Sequence, residues 1–240
     1  MRINLINLDR SSERLQAFRS ANGFLSTVER VSAIEGRTAD RRALIDQGIL
    51  DSRLTYTDGA LGCALSHMAL WDRIAQSGTP ETLAEDDAIF NRQFESRSTA
   101  LIQSLGETWD CVLWGWNFDS VLVVDLLPGI APALMHFDQN ALRSQRERFQ
   151  HLEIEPRPIG LFRAFGTVCY SLSPQGAAKL LASCRPMRPF SLTVPGLPAP
   201  LSNYGLDVMM NAAYPQLKAF VAFPPLVITP NEHATSLVRP

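Results

Sequence analysis

Three consecutive carboxylates, at Glu85, Asp86 and Asp87, are the residues of this 240-residue sequence whose types and spacing point most directly to chemistry. Neighbouring carboxylates repel one another, and a bound cation relieves that repulsion. Mg²⁺ and Mn²⁺ prefer oxygen ligands and typically take one or two protein carboxylates together with substrate phosphates. The cluster therefore suggests a divalent metal site, although an acidic surface turn would have the same sequence.

Two arginines and one histidine could face the negative charge of a phosphorylated ligand. Arg10 and Arg14 are one helical turn apart and could neutralise a diphosphate together, or they could belong to a solvated helix face. His67 shares a helix face with apolar residues. It is therefore either a core histidine or a side chain at the wall of a pocket, where it would hydrogen-bond a phosphate or a sugar.

Alternating strands and helices must position these residues. Residues 3–8 form a largely apolar run typical of a buried strand, and Asp9 or Ser11 can cap the helix that follows. A second helix is predicted by the stripe Cys63, His67, Leu70, Trp71 and Ile74. Further strands are expected at residues 28–34, 111–116 and 121–125. This pattern predicts an α/β fold with a mostly parallel sheet, in which ligands bind at the carboxyl ends of the strands.

The second half of the chain is less clearly patterned. Residues 126–160 show no regular periodicity, whereas residues 161–172 are predicted to form one strand. Ser173 then caps a helix that begins with Pro174. Residues 185–200 contain five prolines and are expected to be a loop. A short helix at residues 205–214 and a last strand at residues 220–228 complete the predicted elements.

Composition and charge limit the classes of function. Hydrophobic residues make up 46% of the chain and charged residues 19%, which suits a folded core. The net charge is −2 with 22 Lys and Arg residues, so no nucleic-acid partner is expected. No apolar run approaches the roughly 20 residues of a membrane span, and the first one is too short for a signal peptide. We expect a cytoplasmic protein with four reduced cysteines, and peripheral membrane contact stays open.

Three ordered blocks early in the chain resemble signatures of glycosyltransferase family 25. They are Ile6-Asn7-Leu8-Asp9-Arg10-Ser11-Ser12-Glu13-Arg14, then Gly62-Cys63-Ala64-Leu65-Ser66-His67 followed by Leu70-Trp71, and then Glu85-Asp86-Asp87-Ala88. Later blocks look similar in the same order, at Trp109-Asp110, Gly166-Thr167, Asp207 and residues 224–227. The family includes bacterial lipooligosaccharide galactosyltransferases and the collagen hydroxylysine galactosyltransferases.

The resemblance implies a GT-A-like fold, with a Rossmann-type, mostly parallel sheet flanked by helices. It also implies an inverting, metal-dependent transfer of a hexose, galactose or glucose, from a UDP-sugar to an acceptor hydroxyl in glycan or lipopolysaccharide biosynthesis. The cation would be Mn²⁺ or Mg²⁺, and the acceptor a glycan, a lipid-linked sugar, a peptide or a small molecule. Within one compact domain, residues 1–125 would bind the nucleotide-sugar and residues 126–240 the acceptor.

The same resemblance suggests roles for individual residues. Asp87 is the first candidate metal ligand and Glu85 the second. The implied donor-binding residues are Asn7, Asp9, Arg10, Arg14, Gly62, Ser66, His67 and Asp86. Asp207 is the candidate catalytic base that would take the proton of the acceptor hydroxyl, although a helix dipole also favours an aspartate near a helix start. Asp119 is the second candidate base, and His233 could approach the metal from the tail.

Departures from the family pattern keep other functions open. The acidic cluster of the family usually follows a strong apolar strand, whereas residues 79–84 are weakly apolar here, and Val168 stands where many members carry a histidine. The main alternative is a catalytically inactive, transferase-like protein that binds a nucleotide-sugar or a glycan. A metal-dependent phosphoesterase fits poorly, because such sites gather several histidines and the four here are far apart in sequence. The loop at residues 185–200 could close over a bound donor.

Overall fold

Strands and helices alternate from the first residues of the computed structural model, which describes residues 1–230. In the first half they are β1 (Ile3–Asn7), α1 (Ser12–Asn22), β2 (Val28–Ser32), α2 (Arg41–Asp46), α3 (Asp58–Ser77), β3 (Glu81–Glu85), β4 (Ile89–Phe90), α4 (Phe94–Leu105) and β5 (Cys111–Gly115). In the second half they are β6 (Leu122–Leu127), β7 (Ala131–Met135), α5 (Gln139–Ser144), α6 (Arg146–Gln150), β8 (Arg157–Arg163), β9 (Cys169–Leu172), α7 (Pro174–Cys184), β10 (Ser191–Leu192), β11 (Leu201–Ser202), α8 (Leu206–Ala213), β12 (Ala219–Phe223) and β13 (Val227–Ile228).

The largest sheet in the described part of the chain has nine strands, in the order β2-β1-β3-β9-β5-β12-β8-β6-β7. β1 pairs in parallel with β2 and β3, and β5 pairs in parallel with β12. Six of these nine strands share one direction, and the other three, β9, β8 and the edge strand β7, run antiparallel to their neighbours. The expected α/β fold, with a mostly parallel Rossmann-type sheet flanked by helices, is confirmed, and its strand pairing is mixed.

Strands from the two halves of the chain interleave at the centre of this sheet. β9 lies between β3 and β5, and β12 lies on the other side of β5. Residues before and after position 125 therefore share one hydrophobic core. The division at that position concerns which ligand each half binds, and it stays a prediction.

β3 is a buried central strand in spite of its weakly apolar sequence. The Glu81 carboxylate accepts hydrogen bonds from Asn4 at 2.8 Å and from Arg73 at 2.7 Å. The hydroxyl groups of Thr82 and Ser171, on neighbouring strands, lie 2.8 Å apart. Buried polar groups are tolerated when they have hydrogen-bond partners, so this strand forms where the local pattern alone looked weak.

The segment at residues 161–172, predicted as one strand, forms two. β8 ends at Arg163 and β9 begins at Cys169. Gly166, between them, has a φ of 84°, a left-handed conformation that glycine adopts far more readily than other residues. The turn carries Thr167 to the edge of the sheet at which β3 ends. The break that separates β8 from β9 therefore brings this part of the chain to the candidate site.

Helix α3 crosses the chain segment after β2 at backbone contact distance. A Cβ atom on Gly62 would lie 2.5 Å from the Ile34 carbonyl oxygen, and one on Gly36 would lie 1.8 Å from the Asp58 carbonyl oxygen. Both positions therefore require glycine. The close crossing fixes the first turns of α3, which carry Ser66 towards the same edge of the sheet.

Candidate active site

A cleft of about 1150 Å³ opens at the carboxyl ends of β1 and β3. The predicted site residues that line it are Asn7, Arg10, Arg14, Gly62, Ser66, His67, Glu85, Asp86, Asp87 and Asp207. Asn117 and Thr167, from the turns after β5 and β8, line it as well. Parallel strands bring their carboxyl ends to one edge of a sheet, which is why residues from distant parts of the sequence meet here.

The acidic residues follow β3 directly, and Asn22 supports their loop. The Asn22 side chain donates to the Ala88 carbonyl oxygen and accepts from the Phe90 amide, each at 2.9 Å. Asn22 is buried, so these hydrogen bonds are shielded from water. The loop between β3 and β4 is thereby held in one conformation, with its carboxylates facing the cleft.

Asp86 is paired with donors from β1 and α1. Its carboxylate accepts from Asn7 Nδ2 and from Arg14 Nε, each at 2.7 Å, and a second Arg14 nitrogen also contacts it. Arg14 and Asp86 therefore present a paired charge to the cleft. Arg10, one turn earlier, pairs instead with Glu35 at 2.7 Å in an exposed position.

Asp87 has one paired and one unpaired carboxylate oxygen. Oδ2 accepts a hydrogen bond from the Thr229 hydroxyl at 3.1 Å, whereas Oδ1 is buried and has no hydrogen-bond partner within residues 1–230. Burial, together with the negative charge of Glu85, raises the pKa of Asp87 to about 7. An unpaired buried carboxylate oxygen is costly, and a bound cation would satisfy it.

Glu85 lies between Thr167 and His67. The Thr167 hydroxyl donates to Oε1, and His67 Nε2 lies 3.7 Å from the same oxygen. Burial by itself would raise the pKa of Glu85, but His67, Thr167 and the charge of Arg14 outweigh burial and lower it. Glu85 is therefore ionised near neutral pH, where Asp87 titrates.

His67 is buried, and a core network orients its ring. Nδ1 lies 2.7 Å from the Tyr170 hydroxyl, which also accepts from Trp71 Nε1 at 2.8 Å. Nε2 faces Glu85 and has no hydrogen-bond partner in the described part of the chain. The sequence allowed either a core histidine or a side chain at a pocket wall. His67 is both, because its ring packs in the core and the residue also lines the cleft.

Ser66 and Gly62 line the cleft and also join α3 to the segment after β2. The Ser66 hydroxyl accepts from the Ile34 amide at 2.8 Å and donates to the Gly62 carbonyl oxygen at 2.7 Å. Its proton is therefore already used within the protein. The part of these two residues in donor binding stays a prediction beside this structural role.

Asp207 reaches the cleft from the opposite half of the chain, in the first turn of α8. Its carboxylate accepts from the Gly166 amide at 3.2 Å and from the Val208 amide at 2.9 Å. An anionic side chain is favoured in the first turn of a helix. Asp207 thus has the structural role of a helix-start residue and also borders the cleft.

Some residues singled out from the sequence lie elsewhere. The Asp9 side chain is 74% exposed and is absent from the described lining of the cleft, because Arg30 of β2 pairs with it at the outer edge of the sheet. Asp119 is exposed in the turn between β5 and β6. His233 lies outside the described residues. None of residues 185–200 contributes to the described lining. This segment, predicted as a loop, contains the short strand β10, and its Val194 belongs to the same small hydrophobic cluster as Val208.

Cys63 and Thr167 line the cleft, although the sequence patterns that contain them gave neither residue a chemical role. Cys63 stands one helical turn before His67, and that spacing was the available signal. Ligand atoms of Cys63, His67 and Glu85 all lie within 4.8 Å of one another. Burial, together with the charge of Glu85, raises the pKa of the Cys63 thiol. All four cysteines are free thiols.

The α/β sheet, with a carboxylate cluster after a central strand and basic residues around it, defines a GT-A-like, Rossmann-type fold. The chain belongs to glycosyltransferase family 25. The sequence model of that family, described as glycosyltransferase family 25 (LPS biosynthesis protein), matches residues 1–195. The resemblance carried by the three early blocks is thereby confirmed.

Curated relatives from animals include proteins named as inactive. The chain is 26% identical over 220 residues to the probable inactive glycosyltransferase 25 family member 3 of Rattus norvegicus, covering 85% of this chain and 33% of that protein. It is 28% identical over 189 residues to a glycosyltransferase 25 family member of Anopheles gambiae, covering 75% of this chain and 28% of that protein. The chain thus spans about a third of the length of the curated relatives it matches.

Among solved structures, the crystal structure of A197 from STIV is similar over 97% of this chain and 96% of that one, at 12% identity and a TM-score of 0.39. A score this low supports no conclusion about function. Within residues 1–230, no helix is both long enough and apolar enough to cross a bilayer.

Proposed function

We propose that this protein is a metal-dependent, inverting glycosyltransferase that moves galactose or glucose from a UDP-sugar to an acceptor hydroxyl in glycan or lipopolysaccharide biosynthesis. Membership of family 25 supports sugar transfer as the class of reaction. Residues 1–125 supply the donor side of the cleft and residues 126–240 the acceptor side. A glycan, a lipid-linked sugar, a peptide or a small molecule would each offer the hydroxyl that this reaction needs.

The Oδ1 atom of Asp87, which has no hydrogen-bond partner among residues 1–230, is the observation that carries this proposal. It is buried within the cleft lining, beside the ionised Glu85. A buried carboxylate oxygen that accepts no hydrogen bond is unfavourable unless something positive binds to it. The pairing of Asp86 with Arg14 leaves Asp87 and Glu85 as the two carboxylates of the cluster that can hold a cation.

Mn²⁺ or Mg²⁺ fits these residues because both ions prefer oxygen ligands and accept one or two protein carboxylates plus phosphate oxygens. Asp87 and Glu85 would hold the ion. When bound, it would supply positive charge that offsets the charge developing on the diphosphate leaving group.

The other residues of the donor side bind and orient the nucleotide-sugar. Arg10 and Arg14 contribute positive charge at the mouth of the cleft, and Asn7 holds Asp86 in place. Asp86 can still accept a hydrogen bond from a sugar hydroxyl, because a carboxylate has about four acceptor positions. His67 also lines the cleft and would contact the sugar or the diphosphate.

Asp207 takes the proton from the acceptor hydroxyl. Inversion requires the hydroxyl to attack the sugar carbon from the face opposite the leaving group, so the base must lie across the cleft from the acidic loop. Asp207 is our candidate for this base, because it lines the cleft and comes from the second half of the chain. The amides of Gly166 and Val208 hold its carboxylate in position. Asp119 is exposed outside the described lining and is less suited.

The second candidate function is a catalytically inactive protein that binds a nucleotide-sugar or a glycan. The names of the mammalian relatives favour it. Such a protein would keep the cleft and bind the donor without releasing nucleotide diphosphate. Binding and release must therefore be measured separately.

The test is a panel of nucleotide-sugars, including UDP-galactose and UDP-glucose, with and without Mn²⁺ and with mixed acceptors. We expect release of nucleotide diphosphate that requires Mn²⁺, is lost in Asp87→Asn and is kept in Asp46→Asn. Asp46 is a matched control because it is an exposed carboxylate on α2. Calorimetric binding of a nucleotide-sugar without release of nucleotide diphosphate would establish the inactive alternative. If neither binding nor release is detected, both candidates are contradicted.

A further inference from the structure

Three side chains of different ligand type converge at the base of the cleft, Cys63, His67 and Glu85. One ligand atom of each, the thiol sulfur, an imidazole nitrogen and a carboxylate oxygen, lies within 4.8 Å of the other two. His67 is 1% exposed, and its Nε2 atom has no hydrogen-bond partner in the described part of the chain. A buried ring nitrogen that faces a carboxylate without bonding to it calls for a ligand.

The spacing of these atoms suits a small tetrahedral ion. Zinc bonds of roughly 2.0–2.3 Å place ligand atoms about 3.3–3.8 Å apart in a tetrahedron. His67 Nε2 and Glu85 Oε1 lie 3.7 Å apart. The remaining distances are at most 4.8 Å. They need to shorten by no more than about 1 Å to reach tetrahedral spacing, and rotation of the Cys63 and Glu85 side chains would supply that change.

We propose that Cys63, His67 and Glu85 form a binding site for a borderline-soft divalent cation of the Zn²⁺ type, with the fourth coordination position open to the cleft. Thiolate and imidazole ligands favour such an ion over Mg²⁺ and Mn²⁺, which prefer oxygen. All three residues line the cleft, so an ion can reach them from solvent. Binding displaces the thiol proton, which passes to the buffer.

Neighbouring side chains orient the ligands as the outer shell of a metal site does. The Tyr170 hydroxyl lies 2.7 Å from His67 Nδ1, which leaves Nε2 as the nitrogen directed at Glu85. The Thr167 hydroxyl donates to Glu85 Oε1. Such outer hydrogen bonds fix the ring orientation and the basicity of metal ligands.

One consequence rests on the proposed function. Glu85 belongs to both cation sites, so a Zn²⁺ ion held by Cys63 and His67 competes with the Mn²⁺ or Mg²⁺ ion held by Asp87. Zn²⁺ is therefore expected to reduce Mn²⁺-dependent turnover. Replacement of Cys63 by serine weakens that inhibition.

The test uses Co²⁺ as a spectroscopic probe on the full chain, without any nucleotide-sugar. We expect a sulfur-to-cobalt charge-transfer band in the near ultraviolet that saturates at one Co²⁺ per chain and disappears when Zn²⁺ is added. The band is lost in Cys63→Ser and kept in Cys184→Ser. Cys184 is a matched control, because it is a buried thiol at the end of α7 and lies outside the described lining of the cleft.

His67→Gln provides the second variant, and we expect it to weaken Co²⁺ binding by roughly tenfold or more. Thermal unfolding of each variant in a chelator verifies that it folds. A wild-type protein without the band, or an equal band in Cys63→Ser, would overturn the site. Because no sugar donor is present, failure of the transferase assay leaves this result unaffected, and absence of the band leaves the proposed transfer reaction standing.

Discussion

Asp87 combines features that make its charge sensitive to the surroundings. One carboxylate oxygen accepts from Thr229, and the other is buried without a partner among the described residues. Burial and the neighbouring Glu85 raise the pKa of Asp87 to about 7. A cation at the cluster would reverse this effect, because it favours the ionised carboxylate. The charge of this residue thus links cation binding to pH.

Replacing Asp87 by asparagine removes the charge with little change of shape. We expect Asp87→Asn to weaken Mn²⁺ binding by roughly 100-fold. Changes to residues that only surround metal ligands already weaken binding by up to about that factor, and loss of a direct ligand should cost at least as much. Calorimetric titration with Mn²⁺ measures the affinity, and Asp46→Asn is the matched control. Equal Mn²⁺ affinity in wild-type protein and Asp87→Asn would show that the ion is held elsewhere.

Stability should depend on pH in a direction set by Asp87. Its pKa is about 7 in the folded protein and near 3.8 in the unfolded chain. Between these values the folded state keeps a proton that the unfolded state has lost, so the free energy of unfolding falls as pH rises from about 4 and levels off above about 7. The lowered pKa of Glu85 acts in the opposite sense, but its contribution is complete above the unfolded-state value of 4.5.

Urea unfolding at about pH 5.5 and pH 7.5, in the presence of a chelator, measures this effect. We expect a larger loss of stability with rising pH in the wild-type protein than in Asp87→Asn. The comparison with the variant cancels the titration of the histidines. A loss of the same size in both proteins would mean that Asp87 ionises normally.

One backbone crossing and one side-chain contact between elements position the site. Helix α3 approaches the segment after β2 so closely that Gly36 and Gly62 have no room for a side chain. The loop between β3 and β4 is tied to the end of α1 through Asn22. The site therefore depends on contacts made by Gly36, Gly62 and Asn22, whose side chains supply no catalytic group.

Gly62→Ala should destabilise the protein by about 1–3 kcal/mol, because its Cβ would lie 2.5 Å from the Ile34 carbonyl oxygen and α3 would have to move. Urea unfolding measures the change. Gly23→Ala is the control, since Gly23 has an ordinary φ of −61° and its Cβ would meet only the Arg19 carbonyl oxygen, at 3.1 Å. That change should cost about 0.5 kcal/mol or less. Equal effects of the two substitutions would argue against a tight crossing.

Asn22→Ala should loosen the acidic loop. It leaves the Phe90 amide and the Ala88 carbonyl oxygen without their side-chain partner in a buried position, at a cost of about 1–3 kcal/mol. Amide hydrogen exchange across residues 85–90 should become faster. Asn140→Ala, on the exposed face of α5, provides the comparison. Unchanged exchange in Asn22→Ala would show that the loop is held by other contacts.

At the scale of the whole molecule, the cleft lies between groups from opposite halves of the chain. The acidic loop follows β3, and Asp207 approaches from α8. β9 and β12 insert next to β5, so the sheet fixes the two sides of the cleft relative to each other. A donor on one side and an acceptor on the other would meet above the ends of the strands.

Asp207→Asn tests this division of roles. If Asp207 is the base, kcat should fall by roughly 10²–10⁴-fold while the Kd for the nucleotide-sugar stays unchanged. Asp119→Asn should leave both quantities close to those of the wild-type protein. Full activity in Asp207→Asn, or a large loss in Asp119→Asn, would move the base to another residue.

Local sequence patterns predict much of the fold and of the site. The family blocks, the acidic cluster and the α/β alternation are all evident from the sequence, and the family and the fold are confirmed. The strand preceding Glu85 is stronger than its sequence indicates, because its polar residues find partners in other strands. The break at Gly166 cannot be predicted from hydrophobic periodicity, because that pattern does not report a positive φ.

The family, the class of fold and the residues able to do chemistry can all be inferred from local sequence patterns. Which of these residues meet depends on how the whole chain folds. The tertiary structure pairs Arg14 with Asp86, directs His67 Nε2 at Glu85 and leaves Asp9 at the exposed edge. Periodicity reports which face of an element is buried, but not which element covers that face. Contacts between residues far apart in sequence depend on strand order, which emerges only when the whole chain packs.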